Sequence, residues 1–222
     1  MIEINNICKE FQKELVLDHI NAIFEEKKIT GIIGRNGSGK TVLLRILCGL
    51  MYPTEGTVTI NGKQIGKDMD FPENVGFIIE TPEFLPYYSG MKNLVDLASI
   101  RHKVGKKEIA KAMELVGLNP NNRKHVGKYS LGMRQRLGIA QAFMDEQDIL
   151  ILDEPLNGLD RQGIEDIRSL FLKLKEQGKT IVIASHSQED ISILCDDVYK
   201  MESGILTKIE TNDKKETMIE IG

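Results

Sequence analysis

The chain has 222 residues, 41% hydrophobic and 28% charged, with a net charge of −4, which suits one large α/β domain with an inserted subdomain and gives no basic excess to suggest a nucleic-acid partner. Cys8, Cys48 and Cys195 stand far apart with no C-x-x-C partner, so they read as small buried hydrophobes in a reducing compartment, not as a disulfide framework. The start Met1-Ile2-Glu3-Ile4-Asn5 lacks a basic and then apolar leader, and no apolar run approaches the roughly 18 residues of a membrane span, so neither export nor spanning is expected.

In chain order, Ile2 and Ile4 alternate with polar residues, as do Ile20, Ala22 and Phe24, and this predicts half-buried antiparallel strands. Phe11 lies between them in a polar segment, where it either stacks on an adenine ring or staples the sheet edge. Ile29-Thr30-Gly31-Ile32-Ile33 is a short β-branched strand, and it runs into Gly34-Arg35-Asn36-Gly37-Ser38-Gly39-Lys40-Thr41, a full match to G-x-x-x-x-G-K-[ST]. The glycines let successive backbone N–H groups turn onto a pyrophosphate, Lys40 reaches the β/γ-phosphates, and the Thr41 hydroxyl is placed for Mg²⁺. From Val42 no breaker intervenes until Gly49, which predicts the helix whose N-terminus faces those phosphates. Further strands are expected at Thr57-Val58-Thr59-Ile60, entering the Asn61-Gly62 turn, and at Val75-Gly76-Phe77-Ile78-Ile79, ending at Glu80.

The period changes after Thr81. Met91, Leu94, Val95 and Ala98, then Ile109, Ala112, Met113 and Val116, follow i, i+3, i+4, i+7 and predict two amphipathic helices, the second ended by Gly117. A third starts after Ser130, with Met133, Leu137, Ala140 and Met144 on one face. Ahead of them Thr81-Pro82-Glu83-Phe84-Leu85-Pro86-Tyr87-Tyr88 is aromatic yet bounded by prolines, which predicts an exposed loop suited to docking a partner or packed beneath the helices.

Asp148-Ile149-Leu150-Ile151-Leu152-Asp153-Glu154 has the form of a buried strand delivering two acids to its C-terminal edge, where ligands of such sheets bind. Asp153 is suited to hold Mg²⁺, and Glu154 to orient or deprotonate a water for in-line attack on a γ-phosphate. Asp160 precedes a long helix with Ile164, Ile167, Leu170, Phe171 and Leu174 as its core stripe. Thr180-Ile181-Val182-Ile183-Ala184 is another buried strand, placing Ser185 and His186 at the same edge as Glu154. His19, His102 and His125 show no metal-like spacing, and the tail after Gly204 offers a short strand and a charged end.

With five motifs in order, nearly the whole chain resembles the nucleotide-binding subunit of an ATP-binding cassette (ABC) transporter. Besides the phosphate loop and Asp153-Glu154, Tyr129-Ser130-Leu131-Gly132-Met133-Arg134-Gln135-Arg136-Leu137 is similar to the family signature, Leu156-Asn157-Gly158-Leu159-Asp160 to its D-loop, and Ser185-His186 to its switch histidine. The resemblance implies a P-loop NTPase core over 1–80 and 145–222, with an N-terminal antiparallel β-layer and an all-helical subdomain over about 81–144. It implies ATP and Mg²⁺ as ligands and adenine stacking by Phe11. It also implies a head-to-tail dimer, with a second copy or a paralogous subunit, in which Ser130 and Gly132 contact the γ-phosphate bound to the opposite subunit, and it makes Asp160 a nucleotide-binding residue. The dimer would work on the cytoplasmic face of the membrane, docked through the loop after Glu80 to a separate permease. Glu80 stands where the family usually has Gln, Leu131 and Met133 where it has Gly and Gln, and Val42 where Thr is common. Glu80 can still ligate Mg²⁺ through oxygen; without a hydroxyl at Val42, the α-phosphate is left to backbone N–H groups. Glu80 with the signature resembles the branch of bacitracin and lantibiotic exporters and immunity systems. Two other classes share the phosphate loop: a GTPase or small-molecule kinase, and a soluble ABC ATPase of a non-transport process. The first lacks its Asn-Lys-x-Asp here and leaves Ser130 to Gly132 unexplained; the second needs a coiled-coil insertion or a second cassette.

Overall fold

The computed structural model describes residues 1–101 and 103–209, so His102 and the charged end lie outside the described residues. Strands β1 (Ile2–Phe11) and β2 (Glu14–Phe24) form a hairpin, and β3 (Ile29–Ile33) leads through the glycine-rich loop into helix α1 (Lys40–Leu47). Then come β4 (Glu55–Ile60), β5 (Lys63–Gln64), β6 (Val75–Ile78), and helices α2 (Gly90–Arg101), α3 (Lys106–Leu115) and α4 (Leu131–Phe143). The chain closes with β7 (Ile149–Asp153), α5 (Arg161–Glu176), β8 (Thr180–Ser185), α6 (Gln188–Leu194), β9 (Asp197–Glu202) and β10 (Ile205–Ile209). Helix α1 is a little shorter than the sequence suggests, because Gly49 at φ 72° turns the chain out after Leu47.

Two sheets result. One is antiparallel in the order β2-β1-β4-β5; the other runs β10-β9-β3-β8-β7-β6, all parallel except β10. Every residue of β3, β7 and β8 is buried, as expected of parallel strands covered on both faces. The two-residue period of these strands then divides the core. Ile149, Ile151, Val182 and Ala184 face α1 and the antiparallel sheet, with Leu43, Leu44 and Leu47 filling the space between the sheets. Leu150, Leu152, Ile181 and Ile183 face the helices, packing with Leu94, Met113, Leu137, Ile167 and Phe171.

The inserted helices thus share one apolar cluster with the central strands. Helix α4 approaches β6 so closely that a Cβ on Gly76 would lie 1.6 Å from the carbonyl oxygen of Ala142. Among the cysteines, Cys8 and Cys48 are buried and Cys195 is half-buried, and burial drives the Cys48 thiol far above its usual range. Because β3, β6, β7 and β8 are parallel, their C-terminal ends share one edge, where the phosphate loop, Glu80, Asp153-Glu154 and Ser185-His186 emerge.

Candidate nucleotide site

The loop between β3 and α1 turns on glycine. Gly37 and Gly39 take φ of 80° and 108°, and a Cβ on Gly39 would come within 2.8 Å of Leu17 Cδ2. The turn of β9 and β10 clamps the loop from behind, with the Gly204 amide donating to the Ser38 carbonyl at 3.1 Å. Lys40 opens α1 and is buried, its Nζ donating to the carbonyls of Gly34 (2.6 Å) and Arg35 (3.1 Å). The Ser38 hydroxyl is buried in the loop without a hydrogen-bond partner, and open space lies beside Gly37. A glycine-turned loop at a helix N-terminus, a buried ammonium and an orphaned hydroxyl fit an anionic phosphate chain.

The acids follow from strand ends. Thr41 Oγ1 donates to Asp153 Oδ2 at 2.6 Å, tying α1 to β7. Burial pushes the Asp153 carboxyl above its usual range; the Thr41 bond and Lys40 oppose this, while Glu154 and Glu80 reinforce it. Glu154 leaves β7 with φ 46°, held by its amide to the Ala184 carbonyl at 2.9 Å, and its Oε2 lies 2.9 Å from His186 Nδ1. Glu80 follows two residues after β6, which stops at Ile78 and not at Ile79, and takes φ 61°, with Arg45 Nη2 of α1 donating to its Oε1 at 2.7 Å. Both glutamates occupy the left-handed region that glycine favours, a local cost that turns each side chain at its strand end.

A cleft of about 590 Å³ gathers residues 36–42 with Glu80, Asp153 and Glu154. Gly34 forms the base of the loop against the Met201 carbonyl, and His186, more than half exposed, joins through Glu154. Four residues expected at the nucleotide stand apart. Phe11 does not line the cleft; it is 40% exposed at the hairpin tip, with Lys9 Nζ 5.1 Å from its ring centroid, while Val16 of β2 does line the cleft. Ser130, Gly132 and Asp160 lie on another depression, beside Gly158. There Ser130 Oγ caps α4 by accepting from the Met133 amide at 3.2 Å, and Asp160 Oδ1 caps α5 by accepting from the Gly163 amide at 3.1 Å.

The cleft also takes in Thr81, Leu131, Gln135 and Asn157, none of which stood out as a site residue. Gln135 is buried and donates through Nε2 to the Pro155 carbonyl at 2.9 Å, bracing the segment after Glu154. Its sequence signal was its place in the signature-like stretch Tyr129 to Leu137, which does not by itself say that the side chain braces the segment after Glu154.

Comparison with known proteins agrees with this geometry. A family model described as ABC transporter matches residues 17–157. An uncharacterized ABC transporter ATP-binding protein YybJ of Bacillus subtilis strain 168 is 46% identical over 96% of this chain and 97% of its own length. The bacitracin transport ATP-binding protein BcrA of Enterococcus faecalis is 43% identical over 94% of this chain and 68% of its own, and the lantibiotic transport ATP-binding protein SrtF of Streptococcus pyogenes is 32% identical over 100% and 95%. The dimeric structure of MJ0796, a bacterial ABC transporter cassette, superposes with a TM-score of 0.84 at 25% identity over 95% of this chain and 99% of its own.

Proposed function

The chain belongs to the family of ABC transporter ATP-binding proteins and is the ATP-hydrolysing subunit of such a transporter, and from that premise we propose how its residues divide the work and what it helps to move. The observation that carries the assignment of roles is the joining of loop, Thr41–Asp153 contact and Glu154–His186 pair at one cleft. Lys40 and the amides of residues 36–41 hold the phosphates, with the Ser38 hydroxyl gaining the partner it lacks. Thr41, Asp153 and Glu80 hold Mg²⁺, which when bound neutralises charge on the phosphate oxygens. Glu154 accepts a hydrogen bond from the attacking water and draws its proton as attack proceeds; His186 fixes the carboxylate that does so. The Val42 backbone amide serves the phosphates where its side chain cannot, and Phe11 is the aromatic offered to adenine.

One copy leaves the site incomplete in this reading. Ser130, Gly132 and Asp160 line a separate depression and not their own cleft, so they serve the nucleotide of a second copy or a paralogous subunit in a head-to-tail pair. No helix among the described residues is long and apolar enough to cross a membrane. A separate permease then carries the transport path, with this subunit on its cytoplasmic face. Leu85, Tyr87 and Tyr88, between 42% and 81% exposed, offer the docking loop. The similarity to BcrA and SrtF supports export of, or immunity to, a peptide antibiotic as the work done.

Glu154→Gln tests the chemistry: ATP binding should persist while Mg²⁺-dependent turnover falls by about 10² or more. Wild-type turnover at saturating nucleotide would remove Glu154 from the mechanism. Co-expression with a cognate permease should raise tolerance to bacitracin or a lantibiotic, and the reading fails if the Gln variant protects equally well.

A further inference from the structure

The hairpin of β1 and β2 carries a second cluster of ligating side chains that the nucleotide chemistry does not use. Ile7 pairs with Ile20 and Lys9 with Leu17, so the one residue Cys8 faces two, Asp18 and His19. This is a β-bulge, and it sets His19 at φ 48°, a conformation that non-glycine residues adopt sparingly. Its consequence is to swing an imidazole and a carboxylate toward a thiol that the sequence places ten and eleven positions away. One ligating atom from each of Cys8, Asp18 and His19 lies within 4.8 Å of the other two, and among the described residues no other group of three such side chains comes so close.

The geometry points to a binding site for one zinc-like divalent cation, held by Cys8 Sγ, an Asp18 carboxylate oxygen and a His19 ring nitrogen. The donor set decides the class. Magnesium and calcium select oxygen donors only, whereas sulfur, nitrogen and oxygen together suit Zn²⁺. With Zn–S near 2.3 Å and Zn–N and Zn–O near 2.0–2.2 Å, tetrahedral donors stand about 3.4–3.6 Å apart, so the observed cluster has to contract by roughly an ångström. The pieces are partly held for this. Cys8 is 5% exposed and its sulfur accepts the His19 amide at 3.4 Å. Asp18 is fixed through its own amide to the Gly204 carbonyl at 2.9 Å. The present partner of His19 Nδ1 is Asp18 Oδ1 at 2.6 Å, a solvent-facing contact that contributes little and opens at small cost. His19 is on the exposed side, leaving the fourth position to water. On binding, the Cys8 S–H proton passes to solvent as the sulfur–metal bond forms, and no redox change occurs.

Cobalt(II) is the probe for the full-length chain without nucleotide. We expect one Co²⁺ per chain, a thiolate-to-cobalt charge-transfer band in the near ultraviolet, and loss of that band as Zn²⁺ displaces it. The band is diagnostic because no cysteine lines the nucleotide cleft. Cys8→Ser should abolish it, and His19→Asn, on an exposed side chain and with a residue that tolerates the left-handed backbone, should weaken zinc binding about tenfold or more. No band in the wild type, or no zinc retained at tens of micromolar protein, overturns the site. So does unchanged zinc affinity in His19→Asn, which decides the matter even if Cys8→Ser fails to fold.

Discussion

Removing Arg45 should make the site need less magnesium if Glu80 is the proposed Mg²⁺ ligand, because Arg45 and the cation would then compete for the same carboxylate. Arg45 Nη2 stands 2.7 Å from Glu80 Oε1, and the two side chains are 37% and 61% exposed. An ion pair this open stabilises by at most about 1 kcal/mol. If Glu80 must leave Arg45 to ligate Mg²⁺, Arg45→Ala should lower the Mg²⁺ midpoint for nucleotide binding by two- to about fivefold, the most that 1 kcal/mol allows. Stability should fall by no more than the same amount, a shift of about 2–4 °C in a domain of this size. The chain contains no Trp, so a fluorescent ATP analogue titrated with Mg²⁺ is the suitable assay. Two controls isolate the cause. The difference should shrink near 1 M salt, where the screening length is about 3 Å, and it should vanish in a Glu80→Gln background, where no charge remains to release. A midpoint that rises in Arg45→Ala, or a shift that survives both controls, refutes the competition.

Three further outcomes follow from the same geometry. The Asp153 carboxyl is raised above its unfolded value, so its contribution to stability is fully present below the ordinary carboxylate range and is lost as pH rises through the raised folded value. Asp153→Asn, still able to accept from Thr41, should therefore melt higher than wild type at neutral pH without Mg²⁺, the gap closing in acid; equal or lower melting at neutral pH contradicts this. In the Glu154→Gln background, ATP should produce a dimer in sedimentation, and Ser130→Arg, at an exposed position, should abolish it; a dimer that survives the substitution moves the interface elsewhere. Phe84→Ala with Tyr87→Ala should leave ATP binding intact and reduce recovery with permease-containing membranes, and full co-purification would clear this loop of docking.

Much of this was legible because its signals are local. The phosphate loop carries its chemistry in eight consecutive residues, and the apolar runs of β7 and β8 marked them as buried strands. The helix starts after Ser130 and Asp160 were legible too, and the structure adds that each residue's side chain caps the helix it precedes. What escaped depends on distant pieces meeting. Val16 and Gln135 reach the cleft only through the hairpin and the inserted helix; nothing in its neighbours marks Val16, and the signature around Gln135 does not show that it lines its own chain's cleft. Helix α6 spans seven residues, too short for a periodic stripe to declare itself. Cys8 and His19 share no spacing rule, because a bulge rather than a motif brings them together.

The site's resting contacts also bear on how a nucleotide is recognised. Each principal group is already satisfied from within the chain: Lys40 by the carbonyls of Gly34 and Arg35, Thr41 by Asp153, Glu80 by Arg45, and Glu154 by His186. Binding therefore exchanges hydrogen bonds, and the net gain at each is the small difference between two good partners, on the order of 1 kcal/mol. Phosphates alone would take Lys40 while leaving the Thr41–Asp153 and Arg45–Glu80 contacts closed. In the proposed reading a phosphate chain arriving with its cation would open the Lys40, Thr41–Asp153 and Arg45–Glu80 contacts while Glu154 keeps His186, so selectivity for the complete Mg²⁺ complex would come from several modest exchanges that must occur together. The left-handed backbone at Glu80 and Glu154 suits this, since both side chains are turned to the sheet edge before any ligand arrives and the exchange costs little reorganisation. Arg45 would then act as a brake on the exchange, which is why its removal is the perturbation that should read most directly on magnesium.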